Sequence, residues 1–362
     1  MKVLVVAVSA RMLASLAVAD GYDVVALDRF GDVDLRAIAS GATAATSDGL
    51  AALAGGVDAG AVVYGAGFEN RPDLVARMSE GRELLGTPPE LLECVRDPRA
   101  VGDAARAAGA RAPETWLVDE LPPAGPVRGV WLRKPRHGGG GRGVRGWAGG
   151  ALRGNEILQR RVYGLSCSAV AIGDGRQAAP LGLTEQLHCR PGLRWMGNVT
   201  PPRLSEGEIA ELDGQLGAVC DEVALRFGVR GAFSVDAVWD GEHAWVLEVN
   251  PRPPGSLELF GGGCFEAHVR GARGVELPAA TGPLRTRCAK VKLVLFADRD
   301  VLAPEPEWWP PGLVRDITPA GEVIRRGAPV CTLVSEEADV EELTDRGARL
   351  LAALPDAAPV RV

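Results

Sequence analysis

Residues 236–252 read DAVWDGEHAWVLEVNPR, and the whole chain is best read outward from them. Asp240-Gly241 is a turn signal between two runs rich in Val and Trp, so the segment is expected to fold as a β-hairpin. On the returning strand Glu248 and Asn250 are two residues apart, and the two-residue period of a strand sends both side chains to one face. Asp236, on the partner strand, approaches that face once the hairpin closes. Two carboxylates and a carboxamide are hard oxygen donors, the kind Mg²⁺ takes when phosphates complete its shell. Arg252 adds a fixed positive charge just beyond. Taken alone, the same residues suit a solvated hairpin with an idle polar face equally well.

A second stretch, VWLRKPRHGGGGRGV at 130–144, bears on that choice. An apolar strand ends at Lys134-Pro135, and Gly138, Gly139, Gly140 and Gly141 follow, with Gly143 beyond. Glycines let backbone N–H groups approach phosphate oxygens, and Lys134 supplies charge from the strand beneath. Arg136, His137 and Arg142 make the loop more attractive to an anion. No Gly-Lys-Ser/Thr opens a helix, so this is not a Walker A loop. The alternative is a hairpin tip whose glycines serve no ligand.

In this order, about a hundred residues apart, the two motifs resemble the ATP-grasp superfamily. The resemblance covers roughly residues 90–260 and implies an ATP site with Mg²⁺ or Mn²⁺ held by Asp236, Glu248 and Asn250. It implies that Lys134 and the glycines at 138–141 cover the phosphates, and that Lys134 and Arg252 serve catalysis. The hinge that meets adenine would be 157–164, including Gln159 (where the family often has Glu), Arg160 and Val162. Ser166 falls where many members place an acidic residue on the ribose, and Arg96 stands where Lys is usual. The implied fold is mixed α/β and α+β: an ATP-grasp fold with an N-terminal parallel-sheet domain and a small C-terminal β domain.

Composition agrees. A chain of 362 residues suits two or three packed domains, and 46% hydrophobic residues supply their cores. Apolar runs stay under about eighteen residues, so no membrane span is expected. The N-terminal MKVLVVAVSARMLASLAVAD suits a first strand running into a helix better than a signal peptide. A net charge of −7 argues against a general nucleic-acid binder. Seven cysteines without a C-x-x-C pair support neither a disulfide framework nor a zinc site, and four histidines show no metal-ligand spacing. A reducing cytoplasm is the expected setting.

The runs divide the chain into 1–88, 89–280 and 281–362, with the middle unit split into lobes at about 89–163 and 164–280. Strands at 3–8, 23–28 and 61–64 around a helix at 11–20 imply a parallel sheet covered on both faces. Asp28 stands where a dinucleotide fold wants its ribose acid, but the first turn lacks G-x-G-x-x-G, which argues against NAD. The loop Gly65–Asn70 follows a strand, where such sheets bind ligands. Leu84 to Pro89 marks the first boundary, two short helices follow, and Asp119–Val127 forms a loop with three prolines. A hairpin is expected over 166–187, an amphipathic helix over 205–227, and a break at Gly282-Pro283. A strand at 289–297, short strands within 321–334 and a helix at 336–353 then give a barrel-sandwich-like end, without a Lys in its turn to carry a prosthetic group.

The 130–144 segment, residues 180–187, Asn250-Pro-Arg with Ser256 and Glu258, and the Val330-Cys-Thr turn resemble one branch of the superfamily, carboligase-like proteins related to biotin carboxylase. That branch includes the tyramine–glutamate ligase of methanofuran biosynthesis. The resemblance implies amide formation between a small-molecule acid and an amine through an acyl phosphate, releasing ADP and phosphate. Glu185, Gln186, Arg194, Trp195, Ser256 and Glu258 are the candidate substrate contacts. A carboxylase that activates bicarbonate and a catalytically silent nucleotide-binding protein remain the alternatives.

Overall fold

The computed structural model describes residues 1–357 apart from 121–129, 190–191, 276, 278–288 and 337–338. Most of the proline loop expected at Asp119–Val127, Arg190 in the loop after the 166–187 hairpin, the break at Gly282-Pro283 and the 280/281 boundary lie outside the described residues.

The N-terminal unit is a five-stranded parallel sheet in the order Ser40–Thr43, Asp23–Asp28, Lys2–Val6, Ala61–Tyr64, Glu83–Leu84. Helices such as Arg11–Ala19 and Ser47–Ala54 connect its strands. Layers on both faces explain why Val3 to Val6 form an unbroken apolar run, each fully buried, instead of alternating. Two short helices, Pro89–Val95 and Pro98–Ala107, lead to a four-stranded antiparallel sheet: Thr115–Leu117, Glu156–Arg160, Trp131–Pro135, Arg145–Gly146. This smaller lobe has its own core of Trp131, Leu152 and Leu158.

The central sheet has eight strands in the order Ala244–Asn250, Arg230–Trp239, Leu165–Asp174, Ala178–His188, Trp195–Thr200, Lys290–Phe296, Pro329–Ser335, Val314–Arg315. The expected hairpins are present, and the C-terminal strands are antiparallel and add to the edge of this same sheet. Helix Glu206–Phe227 covers the face carrying Phe233, Val235 and Ala237. It starts with a capping box between Ser205 and Glu208 and ends at Gly228 in the left-handed conformation, the turn that glycine adopts without steric cost. Helix Cys264–Ala272 packs on the opposite face, where Gly271 lies so close to the Gly173 carbonyl that a Cβ would sit 2.6 Å from its oxygen. His268 of that helix is fully buried, accepts from the Ala232 N–H (2.8 Å) and bonds the Leu85 carbonyl (3.2 Å), and burial pushes its pKa down to about 4. It is a structural tie, not a metal ligand. No described helix is long and apolar enough to cross a membrane.

Where the N-terminal sheet, the central sheet and the C-terminal strands meet, charges are buried together. Arg11, 3% exposed, bonds Glu258 (2.8 Å) and Asp316 (2.9 and 3.2 Å), and Lys292 bonds Glu258 and the Gly255 carbonyl. Burial alone would raise the Asp316 pKa, but the charge and hydrogen bonds of Arg11 overcome it and hold the carboxyl at about 2. A carboxyl depressed on folding adds stability that is present above its unfolded value near 3.8 and is lost as pH falls toward about 2. Arg11→Ala strands the Asp316 carboxylate and leaves Glu258 to Lys292 alone, and is expected to cost about 3–5 kcal/mol, read as a lowered denaturant midpoint at neutral pH. Asp316→Asn should remove part of the acid sensitivity between those two values, and an unchanged acid-unfolding curve would reject this account.

Candidate functional site

The hairpin brings the predicted donors together. Its turn is held by Asp240, whose Oδ1 accepts from the Glu242 and His243 N–H groups (3.0 and 2.8 Å) and whose Oδ2 accepts from Trp245 Nε1 (2.7 Å). The resulting register sets Asp236 directly opposite Glu248, and Ser234 opposite Asn250. Asn250 Nδ2 donates to Asp236 Oδ2 (3.0 Å), and Ser168 donates to Asp236 Oδ1 (2.8 Å) from the next strand. Burial, then the charge of Glu248, pushes the Asp236 carboxyl up. Arg96, 3.9 Å from Glu248, and the charges of Lys134 and Arg252 offset the pair in part. Among the described residues no group of three or more His, Cys, Asp or Glu is arranged to hold a metal. Two carboxylates and a carboxamide therefore fit an ion that completes its shell with phosphate oxygens and water, as Mg²⁺ does.

Lys134 extends from strand Trp131–Pro135 and donates to Gln159 Oε1 (3.0 Å). Burial lowers its pKa, the charges of Glu248 and Asp236 raise it, and that of Arg96 lowers it. Gln159 is itself buried and donates its amide to Thr115 (3.2 Å), so its side chain orients Lys134, while its backbone lies in a strand paired on both sides. In the rest of the hinge, Arg160 is exposed with its N–H on the Glu114 carbonyl, and Val162 is half-buried. Ser166 is half-buried on strand Leu165–Asp174, opposite Val238.

The glycine loop is fastened at three points. Arg96 Nη2 donates to the Gly138 carbonyl (3.0 Å), Asn70 Nδ2 to the His137 carbonyl (3.3 Å), and the Trp195 N–H to the Gly140 carbonyl (3.0 Å). Gly141 has φ +68°, and a Cβ there would lie 1.8 Å from the Leu193 carbonyl oxygen. No side chain fits. Gly139 has open space around it. Arg96 also donates to the Val249 carbonyl (2.7 Å), Asn250 Oδ1 (3.2 Å) and Asn70 Oδ1 (3.1 Å), with Glu248 3.9 Å away. Arg252 pairs with the buried Glu69 (3.3 Å), whose other oxygen accepts from the Gly67 N–H (2.6 Å). The loop Gly65–Asn70 thus closes one wall of the cleft.

The candidate substrate residues separate by strand face. Gln186 is on the face of Asp236, and its amide helps to lower the pKa of that carboxyl. Its neighbour Glu185 points the other way, into Arg203 (2.6 and 3.0 Å). Trp195 bonds Asn198 (2.9 Å) and lies against Gly255. Arg194 stacks on Phe296 and donates to the Gly327 carbonyl (2.8 Å). Ser256 is buried just before a short turn that its side chain does not cap, and Glu258 is taken by Arg11 and Lys292. Glu185, Arg194 and Glu258 are thereby committed to packing partners. Sequence reasoning passed over Ser168, Ser234, Thr184 and Lys292, buried polar residues on the same sheet face as Asp236. Their signal was a polar residue at every second position, as in Ser234-Val-Asp236.

Residues 103–256 match the family model described as an ATP-grasp domain. No curated protein matches the chain in sequence. Among solved structures it is similar to the biotin carboxylase domain of Hydrogenobacter thermophilus 2-oxoglutarate carboxylase, in a complex with MgADP, ADP and bicarbonate (TM-score 0.73, 16% identity, 98% of this chain and 90% of that one). It is similar also to N5-carboxyaminoimidazole ribonucleotide synthetase from Thermotoga maritima (TM-score 0.63, 18% identity, 98% of both chains). Campylobacter jejuni biotin carboxylase resembles it as well (TM-score 0.72, 13% identity, 97% of this chain and 91% of that one). The chain has the ATP-grasp fold.

If Lys134 and the carboxylate pair receive nucleotide, MgATP should raise the melting temperature by mass action on the folded state. Lys134→Ala is expected to weaken the affinity behind that shift by about tenfold or more, and Glu248→Gln to reduce its dependence on Mg²⁺. Wild-type protein that shows no shift in millimolar MgATP would remove the assignment.

Proposed function

Because the chain carries an ATP-grasp domain, we propose that it is an ATP-dependent carboxylate–amine ligase that forms an amide through an acyl phosphate. The observation that supports this most is the opposition of Asp236 and Glu248 across the hairpin, with Lys134 electrostatically coupled to both beneath a fastened glycine loop. A carboxylate does not react with an amine near neutral pH, because its oxygen is a poor leaving group. Attack of the acid on the γ-phosphorus of ATP breaks the bond to ADP and makes an acyl phosphate. The amine then adds to the acyl carbon and phosphate leaves. Such transfer asks the protein chiefly for positioning and charge neutralisation.

In this reading Lys134 and the amides of 138–141 hold the phosphates, and Asp236, Glu248 and Asn250 hold Mg²⁺ or Mn²⁺. When bound, the ion offsets charge on the phosphate oxygens. Asn250 Oδ1 now accepts from Arg96, so its use as a ligand requires that this bond be exchanged. Arg252, oriented by Glu69, stabilises charge on the transferring phosphoryl group or the tetrahedral oxygen. The fastened loop keeps water from an acyl phosphate it would hydrolyse. Gln186 and Trp195 are the candidate substrate contacts that remain in the cleft.

The resemblance to the carboligase-like branch supports glutamate as the acid, tyramine or a similar aryl-ethylamine as the amine, a place in methanofuran-type cofactor synthesis and a cytoplasmic setting. A second reading, carboxyphosphate formation from bicarbonate, draws on the fold shared with a carboxylase domain whose complex contains bicarbonate.

Removing either carboxylate, as in Asp236→Asn or Glu248→Ala, should lower turnover by about a hundredfold or more, the scale of a lost transition-state contact. With MgATP, glutamate and a panel of amines, mass spectrometry should detect a new amide alongside ADP and phosphate. AMP and pyrophosphate would sink the acyl-phosphate route, and ADP formed only with bicarbonate would select the carboxylase reading.

A further inference from the structure

A second cavity, of about 140 Å³, lies away from the hairpin at the outer edge of the parallel sheet. It opens between helix Val33–Ile38 and the carboxyl ends of strands Asp23–Asp28 and Ser40–Thr43. A cavity of nearly this size holds benzene, so a molecule of roughly six to nine heavy atoms fits. Leu35 and Ala26 give it an apolar wall, while Asp28 and Arg36 bring opposite charges to it.

Those charges are held apart. Arg36 is exposed, and its guanidinium has no hydrogen-bond or ion-pair partner among the described residues. It lies over Gly31, where a Cβ would come within 2.6 Å of Nη2 and 2.7 Å of the Thr43 methyl. Gly31 also has φ +61°, so the turn that seats the guanidinium calls for glycine on both counts. Asp28 is 1% exposed and accepts from the Phe30, Gly31 and Ala10 N–H groups at 3.2, 2.8 and 3.4 Å. A carboxylate offers about four acceptor positions, so one is left. Arg36 and Asp28 therefore flank the same glycine without pairing.

Behind Gly31, Asp32 is 3% exposed, and its Oδ2 finds no partner among the described residues. Burial, then the charges of Asp316, Asp28 and Asp34, pushes its pKa up to about 8. Buried polar atoms without partners are few in folded proteins, and each calls for an explanation. Asp32 is not among the residues that line the cavity, and Arg11 is the cation whose charge acts on it.

We propose that this cavity binds a small α-amino acid, with its carboxylate on Arg36, its ammonium toward Asp28, and its side chain against Leu35 and Ala26. An α-amino acid zwitterion carries both the carboxylate that an unpaired guanidinium takes and the ammonium that a carboxylate with a remaining acceptor position takes. The site makes no use of the nucleotide cleft, so it stands independently of the ligase reading. Its wall is tied to the rest of the molecule, because Asp34 accepts from the Asp316 and Ile317 N–H groups (3.0 Å each) and the Val33 N–H donates to the Ile317 carbonyl (2.8 Å).

Calorimetric titration of the full chain with each of the twenty amino acids, without nucleotide, tests the site. A subset with small side chains should bind with Kd below about 1 mM. N-acetylation or carboxamidation of the best binder should each weaken it by about tenfold or more. Arg36→Ala, on the exposed rim, should do the same while the MgATP-induced melting shift stays as in the wild type. Asp28→Asn is the second variant, scored only if its melting curve shows a folded protein, because Asp28 also secures the turn. No binding by any amino acid at about 10 mM, or binding that Arg36→Ala leaves unchanged, would overturn the proposal. No nucleotide enters the titration, so its failure would leave the ligase reading where it stands.

Discussion

The cleft depends on one buried guanidinium. Arg96 is 8% exposed, and a charge so far from water must have its donors matched. Its partners come from three places: Asn70 of the N-terminal unit, Gly138 of the glycine loop, and Val249 with Asn250 on the returning strand of the hairpin. No two of these segments are neighbours in sequence. Each gains a bond only if the other two arrive, so the geometry of the cleft is a condition of burying this one charge. Arg96 is thereby a positioning residue first, and its guanidinium reaches a phosphate only by giving up one of these bonds.

The central sheet works through a difference between its faces. One face carries Phe233, Val235 and Ala237 beneath helix Glu206–Phe227, a conventional apolar seam. The other carries a polar field that runs from Glu248 and Asp236 through Ser168 and Thr184, with Gln186, Asn198 and Lys292 on the strands beyond. Because the C-terminal strands extend the same sheet, the field continues past the nucleotide region into the Arg11, Glu258 and Asp316 cluster. Charge is concentrated along this face in two arrangements. At the hairpin like charges oppose each other, with Arg96 3.9 Å from Glu248. In the cluster opposite charges pair and tie three parts of the chain together.

Much of this was legible in the chain. The Asp240-Gly241 turn, the two-residue spacing of Glu248 and Asn250, and the four glycines after Lys134 are local signals whose physics acts within a few residues. So are the apolar run at Val3 to Val6 and the capping box at Ser205, which mark a doubly covered strand and a helix start. The sequence alone therefore determined these elements and the class of the fold, because each rests on short-range periodicity and turn chemistry, while strands Ser40–Thr43, Glu83–Leu84 and Trp195–Thr200 carried no such signal. It also determined which residue types carry oxygen donors and positive charge.

Only the tertiary structure decided what those side chains are free to do. Glu185 and Gln186 are adjacent in sequence, yet pleating sends one to Arg203 and the other to Asp236. Glu258 looks available in the chain but is taken by Arg11, 247 residues away, and Gln159 is spent on Lys134. Conversely, Arg36 and Asp32 carried no signal, and the fold leaves both without a partner among the described residues. Ion pairing and burial depend on distance in space, which sequence separation does not encode. A charge is recognised from its residue type, but whether it is neutralised depends on every segment that folds against it.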